Sequence, residues 1–268
     1  MIRLEPADRH AVVPLLDRVP FNVFMAKVVA RGAVAGEVWV DRPGEPSSCY
    51  VRHKYGMAFL VGRSENCEYR AWVDARAANA DGARHTRDML QVYPDAWHEA
   101  MQPHVAAGTV NRWNRTNFRF DADRFLERFP SVPAKPAVVR ARREQVARFA
   151  GSVIPVRFWD TVEDFVRHGV GFFATDRENP NRPASLAFSA YLDDSFLEVG
   201  VETAEAFRGK GYAQAACARV IHEALARGLE PVWSCKTENA GSYRLAERLG
   251  FVPLDPHPYY ELPAPARH

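Results

Sequence analysis

Hydrophobic positions along this chain change period several times, and each change predicts an element. The most regular pattern runs from 211 to 227. There Ala213, Ala216, Cys217, Val220, Ile221, Ala224 and Leu225 recur at spacings of three and four, which predicts an amphipathic helix stopped by Gly228. Around it the pattern is that of strands, at 170–175, 184–192, 196–203 and 231–236. Only Asp193-Asp194-Ser195 separates the second from the third, so an antiparallel hairpin is expected. Asn239 opens a helical stretch that ends before Gly250, and short strands are expected at 251–254 and 259–262. Residues 137–141 read as a short strand and 142–150 as a helix. Asp160-Thr-Val-Glu163 reads as a capping box with Asp160 as N-cap of a helix ending at Gly169.

Upstream the pattern is less regular. Residues 8–31 read as two helical pieces broken at Pro20. Strands are expected at 36–40 and 48–52, around a turn rich in Pro and Gly at 41–46, and again at 55–61. A helical stretch and a strand at 89–93 follow. Phe129-Pro-Ser-Val-Pro-Ala-Lys-Pro136 holds three prolines in eight residues and cannot be regular helix. This predicts an N-terminal mixed α/β domain at 1–130, a linker at 131–136 and a C-terminal domain at 137–268.

Composition narrows the function. The 268 residues are 47% hydrophobic and 25% charged, enough for a core and a polar surface in one large domain or two ordinary ones. A net charge of +2, with 30 Arg and 5 Lys scattered rather than blocked, gives no case for nucleic acid or an anionic membrane as partner. No apolar run reaches the length of a membrane span, and the first residues lack the basic start and unbroken apolar run of a signal peptide. Cys49, Cys67, Cys217 and Cys235 show neither Cys-x-x-Cys nor zinc spacing, so reduced thiols in the cytoplasm and no metal are expected.

The chemistry concentrates at Arg208-Gly-Lys-Gly-Tyr-Ala213, where a strand runs into the amphipathic helix. Gly209 and Gly211 let backbone approach a ligand closely. The free N–H groups of the loop and first turn, with the helix dipole behind them, suit a pyrophosphate. Arg208 and Lys210 add charge. The spacing is neither GxxxxGK[ST] nor GxGxxG.

This segment resembles the [R/Q]xxGx[G/A] signature of the GNAT acetyltransferase superfamily. Glu238-Asn-Ala-Gly-Ser-Tyr-Arg-Leu-Ala-Glu-Arg-Leu-Gly-Phe251 resembles its second signature, an Asn opening a helix that ends in Leu-Gly-Phe. Phe21-Asn22, Tyr55-Gly-Met57, Gln91-Val-Tyr-Pro-Asp95, Val153-Ile-Pro155, Phe158-Trp159, Glu230-Pro-Val-Trp-Ser-Cys235 and Pro258-Tyr-Tyr260 extend the likeness to a two-part GNAT subfamily that includes the zwittermicin A resistance protein. The resemblance implies a GNAT fold in the C-terminal half, a mostly antiparallel central sheet flanked by helices. It suggests a degenerate GNAT-like half in residues 1–130. It also implies acetyl-CoA as co-substrate and the amine of a small molecule, an antibiotic or metabolite, as acceptor. A non-catalytic acyl-CoA sensor and a protein or peptide N-acetyltransferase are the alternatives, and the assembly is left between monomer and homodimer.

Carried onto this chain, the resemblance gives the backbone of Val201 and Thr203 to the pantetheine arm and that of Arg208, Gly209, Lys210, Gly211, Tyr212 and Ala213 to the pyrophosphate. Asn239 and Ser242 come near the thioester. Trp159, Tyr259 and Tyr260 become candidates for an acceptor pocket. A free alkylamine is almost fully protonated at neutral pH, so the reaction needs a base. Glu198 and Glu202 are four apart on one expected strand and share its face, opposite Val201 and Thr203. The leaving thiolate needs an acid. Ala246 stands where many relatives carry Tyr, and Tyr243, one turn earlier, is the substitute.

Overall fold

Strand residues of alternating polarity pair here into two compact units. The computed structural model describes residues 1–80 and 82–265. The first unit comprises Met1–Arg115, Lys236–Glu238 and the chain from Pro256 onward; the second comprises Thr116–Cys235 and Asn239–Asp255.

In the first unit the sheet runs β1 (Ile2–Arg3), β2 (Gly36–Val40), β3 (Ser48–His53), β4 (Met57–Gly62), β5 (Asp88–Tyr93) in spatial order. The first four are antiparallel neighbours, while β4 and β5 are parallel. A 3₁₀ turn (Pro6–Val12), α1 (Val13–Leu16) and α2 (Phe24–Ala30) lie between β1 and β2 in sequence; α3 (Cys67–Ala78) connects β4 to β5, and α4 (Ala96–Ala106) follows β5. Tyr69, Val73 and Ala77 of α3 and Trp97, Ala100 and Met101 of α4 pack on Ala58, Leu60, Leu90 and Val92 as one apolar cluster. Next comes β6 (Asn111–Phe120), which passes from the first unit into the second at Arg115/Thr116.

The second unit repeats the plan. After α5 (Ala122–Arg128) come β7 (Val138–Arg140), α6 (Arg143–Arg148), α7 (Val162–His168), β8 (Gly171–Thr175), β9 (Pro183–Leu192), β10 (Phe196–Thr203), α8 (Tyr212–Ala226), β11 (Glu230–Lys236), α9 (Ala240–Arg248) and β12 (Phe251–Pro253). Strands β7 to β11 are neighbours in that order, antiparallel except for the parallel pair β10 and β11. Chain order, sheet order and the placing of the one parallel pair are the same in both units. The last strand, β13 (His257–Leu262), pairs antiparallel with β5 in the first unit.

The amphipathic face of α8 is buried as its period requires. Ala216, Cys217, Val220, Ile221 and Ala224 meet Leu197, Val199, Trp233 and Cys235 of the sheet, with Leu249 and Phe251 beside them. At about 25 cal/mol per Å² of apolar surface, this burial is the main force holding α8 to the strands. All four cysteines are free, and burial pushes the Cys217 thiol above its ordinary range. None of the described helices is long and apolar enough to cross a membrane.

Three local expectations are corrected. The N-cap of α7 is Thr161, not Asp160, because the Thr161 hydroxyl reaches the Asp164 N–H at 3.0 Å. The chain passes between units within β6, and the proline-rich 131–136, which forms neither helix nor strand, lies inside the second unit. Helix α4 and strand β6 occupy a stretch in which no element was expected.

Candidate active site

Strand β10 loses register with both neighbours at one step. It pairs in parallel with β11 at Phe196↔Glu230, Leu197↔Pro231 and Glu198↔Val232 and no further, although β10 continues to Thr203 and β11 to Lys236. On its other side, pairing with β9 jumps from Glu198↔Tyr191 to Val199↔Ser189, leaving Ala190 as a bulge. Beyond Glu198 the strands β10 and β11 are no longer paired with each other and form an open wedge.

Alternation assigns the edges of that wedge. Ala204 N–H donates to Ala184 O at 3.0 Å, and Glu202 O accepts from Ser185 Oγ at 3.1 Å. With period two, residues 200 and 202 direct their main-chain groups to β9, and Val201 and Thr203 direct theirs into the wedge. These are the two residues expected to hold a pantetheine arm. The Thr203 hydroxyl meets Ser185 Oγ at 2.9 Å, and Arg208 Nε donates to Thr203 O at 3.3 Å.

The wedge opens toward the start of α8. Gly211 is its N-cap, with φ +85° and ψ 0°, and no side chain caps the helix. Gly209 is also left-handed, at φ +74°. The first bond of the helix is Ala215 N–H to Gly211 O, 3.2 Å, so the amides of Tyr212, Ala213 and Gln214 have no carbonyl one turn back. A Cβ placed on Gly209 or Gly211 would meet nothing within 4 Å. These glycines are required by backbone conformation, and the space over them is open, which fits a diphosphate on the helix terminus. Lys210 Nζ donates to Ala206 O at 2.9 Å, while the Tyr212 ring is buried edge-on against Phe207. Only the backbone of Tyr212 can serve the loop.

Glu198 sits at the fork. It is buried, at 4% exposure, and accepts a 2.8 Å hydrogen bond from Ser234 Oγ of β11. Trp233, next to Ser234 and therefore on the opposite face of β11, donates to Ser242 Oγ at 3.2 Å. Asn239 Oδ1 caps the Ser242 N–H at 3.2 Å. Asn239 and Ser242 thus fix α9 against the outer strand of the wedge. The Tyr243 ring packs edge-on against Phe118, 5.2 Å between centroids, and Ala246 is fully buried. Ser234 falls within Glu230-Pro-Val-Trp-Ser-Cys235, but the likeness gives it no role. Its link to Glu198 follows from the parallel register of strands far apart in sequence, which no local pattern encodes.

Glu202 is engaged elsewhere. Its Oε2 accepts from Ser152 N at 2.8 Å, Val153 N at 3.0 Å and Ser152 Oγ at 3.2 Å. Arg208 lies 3.8 Å from its other oxygen. The carboxylate clasps the loop after α6 to β10. Glu202→Ala leaves two backbone N–H groups without their acceptor and is expected to lower stability by about 1–3 kcal/mol, measured by chemical denaturation. An unchanged midpoint would show that the clasp bears no weight.

Trp159 belongs to the second unit, donating to Ser189 O at 2.8 Å and packing edge-on against Phe165. Tyr259 and Tyr260 belong to the first unit, on β13, and both are buried. Tyr260 OH lies 3.0 Å from His98 Nδ1. Within the second unit, His222 packs 5.0 Å from Phe125 and is held below the ordinary histidine pKa by burial. Among the described residues no group of three or more His, Cys, Asp or Glu is placed to hold a metal ion.

The GNAT acetyltransferase family model matches residues 19–260, and the chain belongs to that family. It is an acyltransferase. Its fold is shared with a GCN5-related N-acetyltransferase-like protein from Streptococcus suis 89/1591, at a TM-score of 0.72 and 21% identity over 96% of this chain and 99% of that one. A tandem GNAT protein from the clavulanic acid biosynthesis pathway matches at a TM-score of 0.62 and 16% identity, over 100% of this chain and 99% of that one. A GNAT-family acetyltransferase from Colwellia psychrerythraea matches at 0.58 and 11%, over 97% and 98%. No curated protein matches the chain. The large mostly antiparallel sheet flanked by helices is the GNAT fold, in the two-part form that the tandem neighbour also has.

Proposed function

We propose that the protein transfers an acetyl group from acetyl-CoA to the amine of a small molecule, with Glu198 as general base. The observation that carries this reading is the coincidence at Glu198. The residue where both registers of β10 break is a buried carboxylate at the apex of a wedge, and the wedge leads to the uncapped amides of α8. Family membership implies the cofactor, and the site fits it. Val201 and Thr203 present main-chain groups to an extended arm, and the α8 terminus presents amides to a diphosphate. Bound there, acetyl-CoA supplies an acyl group activated as a thioester.

The remaining chemistry falls to the chain. Glu198 accepts the proton of the incoming ammonium, worth roughly 10²–10⁴-fold in rate. The Ser234 hydroxyl holds the carboxylate in place. The Val201 N–H, pointing into the wedge, is the donor for the carbonyl oxygen, and one such preorganised donor is typically worth about 3 kcal/mol of barrier. A C–N bond forms, the C–S bond breaks, and the thiolate takes its proton from Tyr243 or water. The resemblance to the two-part subfamily of the zwittermicin A resistance protein points to an antibiotic or metabolite as acceptor. Four free cysteines suit the reducing cytoplasm.

The buried Ala246, in place of an acid, is the one feature that favours a non-catalytic acyl-CoA sensor. Purified protein given acetyl-CoA and a panel of small amines separates the two readings. Acceptor-dependent release of free CoA thiol is the expected result. Binding without release for every amine would establish the sensor, and failure to bind acetyl-CoA would end both.

A further inference from the structure

The two units share one plan, so each element of the wedge has a counterpart. By chain order and sheet order β4 answers to β10, α3 to α8, β5 to β11 and α4 to α9. The counterparts differ at every point where the second unit is open. Strands β4 and β5 pair without a break from Met57↔Met89 to Val61↔Tyr93, the last residue of β5. Where β10 needs the eight residues 204–211 to reach its helix, β4 reaches α3 through Arg63-Ser-Glu-Asn66, which contains no glycine. Asn66 caps that helix itself, accepting from the Tyr69 N–H at 3.1 Å. The carbonyl that ends β4, Gly62 O, accepts a 2.8 Å hydrogen bond from the indole N–H of Trp97, the second residue of α4. Trp97 is fully buried in the core of its unit. Gly62 lies close against the start of β3, with no space for a side chain, since a Cβ there would lie 2.1 Å from Ser47 O.

Resting on the reading of the β10–β11 wedge as the acyl-CoA site, we infer that the first unit is a second GNAT unit closed to the cofactor. Trp97 supplies from within the protein the N–H that an extended arm would bring to the end of β4, and the chain takes up one acetyl-CoA, in its second unit only. Three independent locks close the first unit: continuous strand pairing, a self-capped helix and the indole seated on Gly62 O. A ligand would have to break all three to enter. Residues 1–115 then act as scaffold rather than as a second cofactor site.

Calorimetric titration of the full chain with acetyl-CoA tests this, together with indole ¹⁵N–¹H spectra of the six tryptophans. The expected stoichiometry is one per chain. The Trp97 indole proton should exchange slowly and keep its shift at saturation, while that of Trp233, bonded to Ser242 at the start of α9 on the outer strand of the wedge, moves. A stoichiometry of two, or one accompanied by a shift at Trp97 and none at Trp233, overturns the inference while leaving the protein an acyl-CoA binder. A stoichiometry of zero, with both indoles unmoved, overturns the acyl-CoA reading as well. Arg208→Glu, made outside both cores, gives a check that does not depend on spectra. It should weaken the single binding event at least tenfold with no weaker second site uncovered, and binding unaffected by it counts against a location in the second unit.

Discussion

Glu198→Gln is expected to lower turnover by roughly 10²–10⁴-fold while leaving acetyl-CoA affinity within about twofold. The substitution keeps shape and keeps an acceptor for Ser234 Oγ, so the hydrogen bond that now spans 2.8 Å survives. What is lost is the ability to take a proton. An alkylamine at neutral pH is overwhelmingly ammonium, and without a base only the small unprotonated fraction can react. The cofactor contacts proposed above lie elsewhere, on the backbone of 201–203 and the start of α8, and do not pass through this carboxylate. Steady-state rates at saturating acetyl-CoA and acceptor, with calorimetry on the same preparation, separate the two effects. Equal losses of affinity and rate would mean that Glu198 holds the wedge open rather than moving protons, and an unchanged rate would remove it from the mechanism.

The same comparison shows why Glu202 is the poorer candidate for the base despite lying on the same strand. From sequence the two carboxylates share one strand face, and only the resemblance, through the distance of Glu198 from Arg208, favours Glu198 over Glu202. In the fold Glu198 accepts from Ser234 Oγ of β11 at the fork, whereas Glu202 takes two backbone N–H groups and a hydroxyl from the loop after α6. The distinction depends on which loop returns to which strand. That information lies fifty residues away in the chain and has no local signature.

What was legible follows the same division. Helix α8 was readable because one helix with a continuous apolar stripe needs only its own period. The β9–β10 hairpin was readable because three residues connect two alternating runs. Strand β6 was not, since Asn111-Arg-Trp-Asn-Arg-Thr-Asn-Phe-Arg-Phe120 puts Asn and Arg where an isolated strand signal needs apolar residues. Helix α4 carries Pro103 in its interior, which reads as a break. The site divides likewise. Gly209, Gly211 and Asn239 were visible because a left-handed turn and a helix cap demand particular residue types. The open wedge and the Ser234–Glu198 contact are properties of register, which is set by all strands together, and the Trp97 bond to Gly62 O depends on how α4 packs on the end of β4.

Gly211→Glu is expected to weaken acetyl-CoA binding by roughly two hundredfold or more, with the fold retained. A carboxylate about 5 Å from a phosphate, at an effective dielectric near 20, costs about 3 kcal/mol, which sets the factor. Conformation costs something further, since a side chain at φ +85° pays about 1–2 kcal/mol that glycine does not. Two facts keep this from being a folding defect. A Cβ at 211 meets nothing within 4 Å, and an acid at a helix N-terminus gains about 0.3–1 kcal/mol from the dipole. That gain is also the reason binding fails, because the new carboxylate competes for the field and amides that the diphosphate would use. Gly211→Ala is the control: it carries the conformational cost without the charge and should lose no more than about thirtyfold. Calorimetry on the two variants gives the answer directly. Equal losses would assign the effect to backbone strain, and wild-type affinity in Gly211→Glu would show that the diphosphate does not bind at the start of α8.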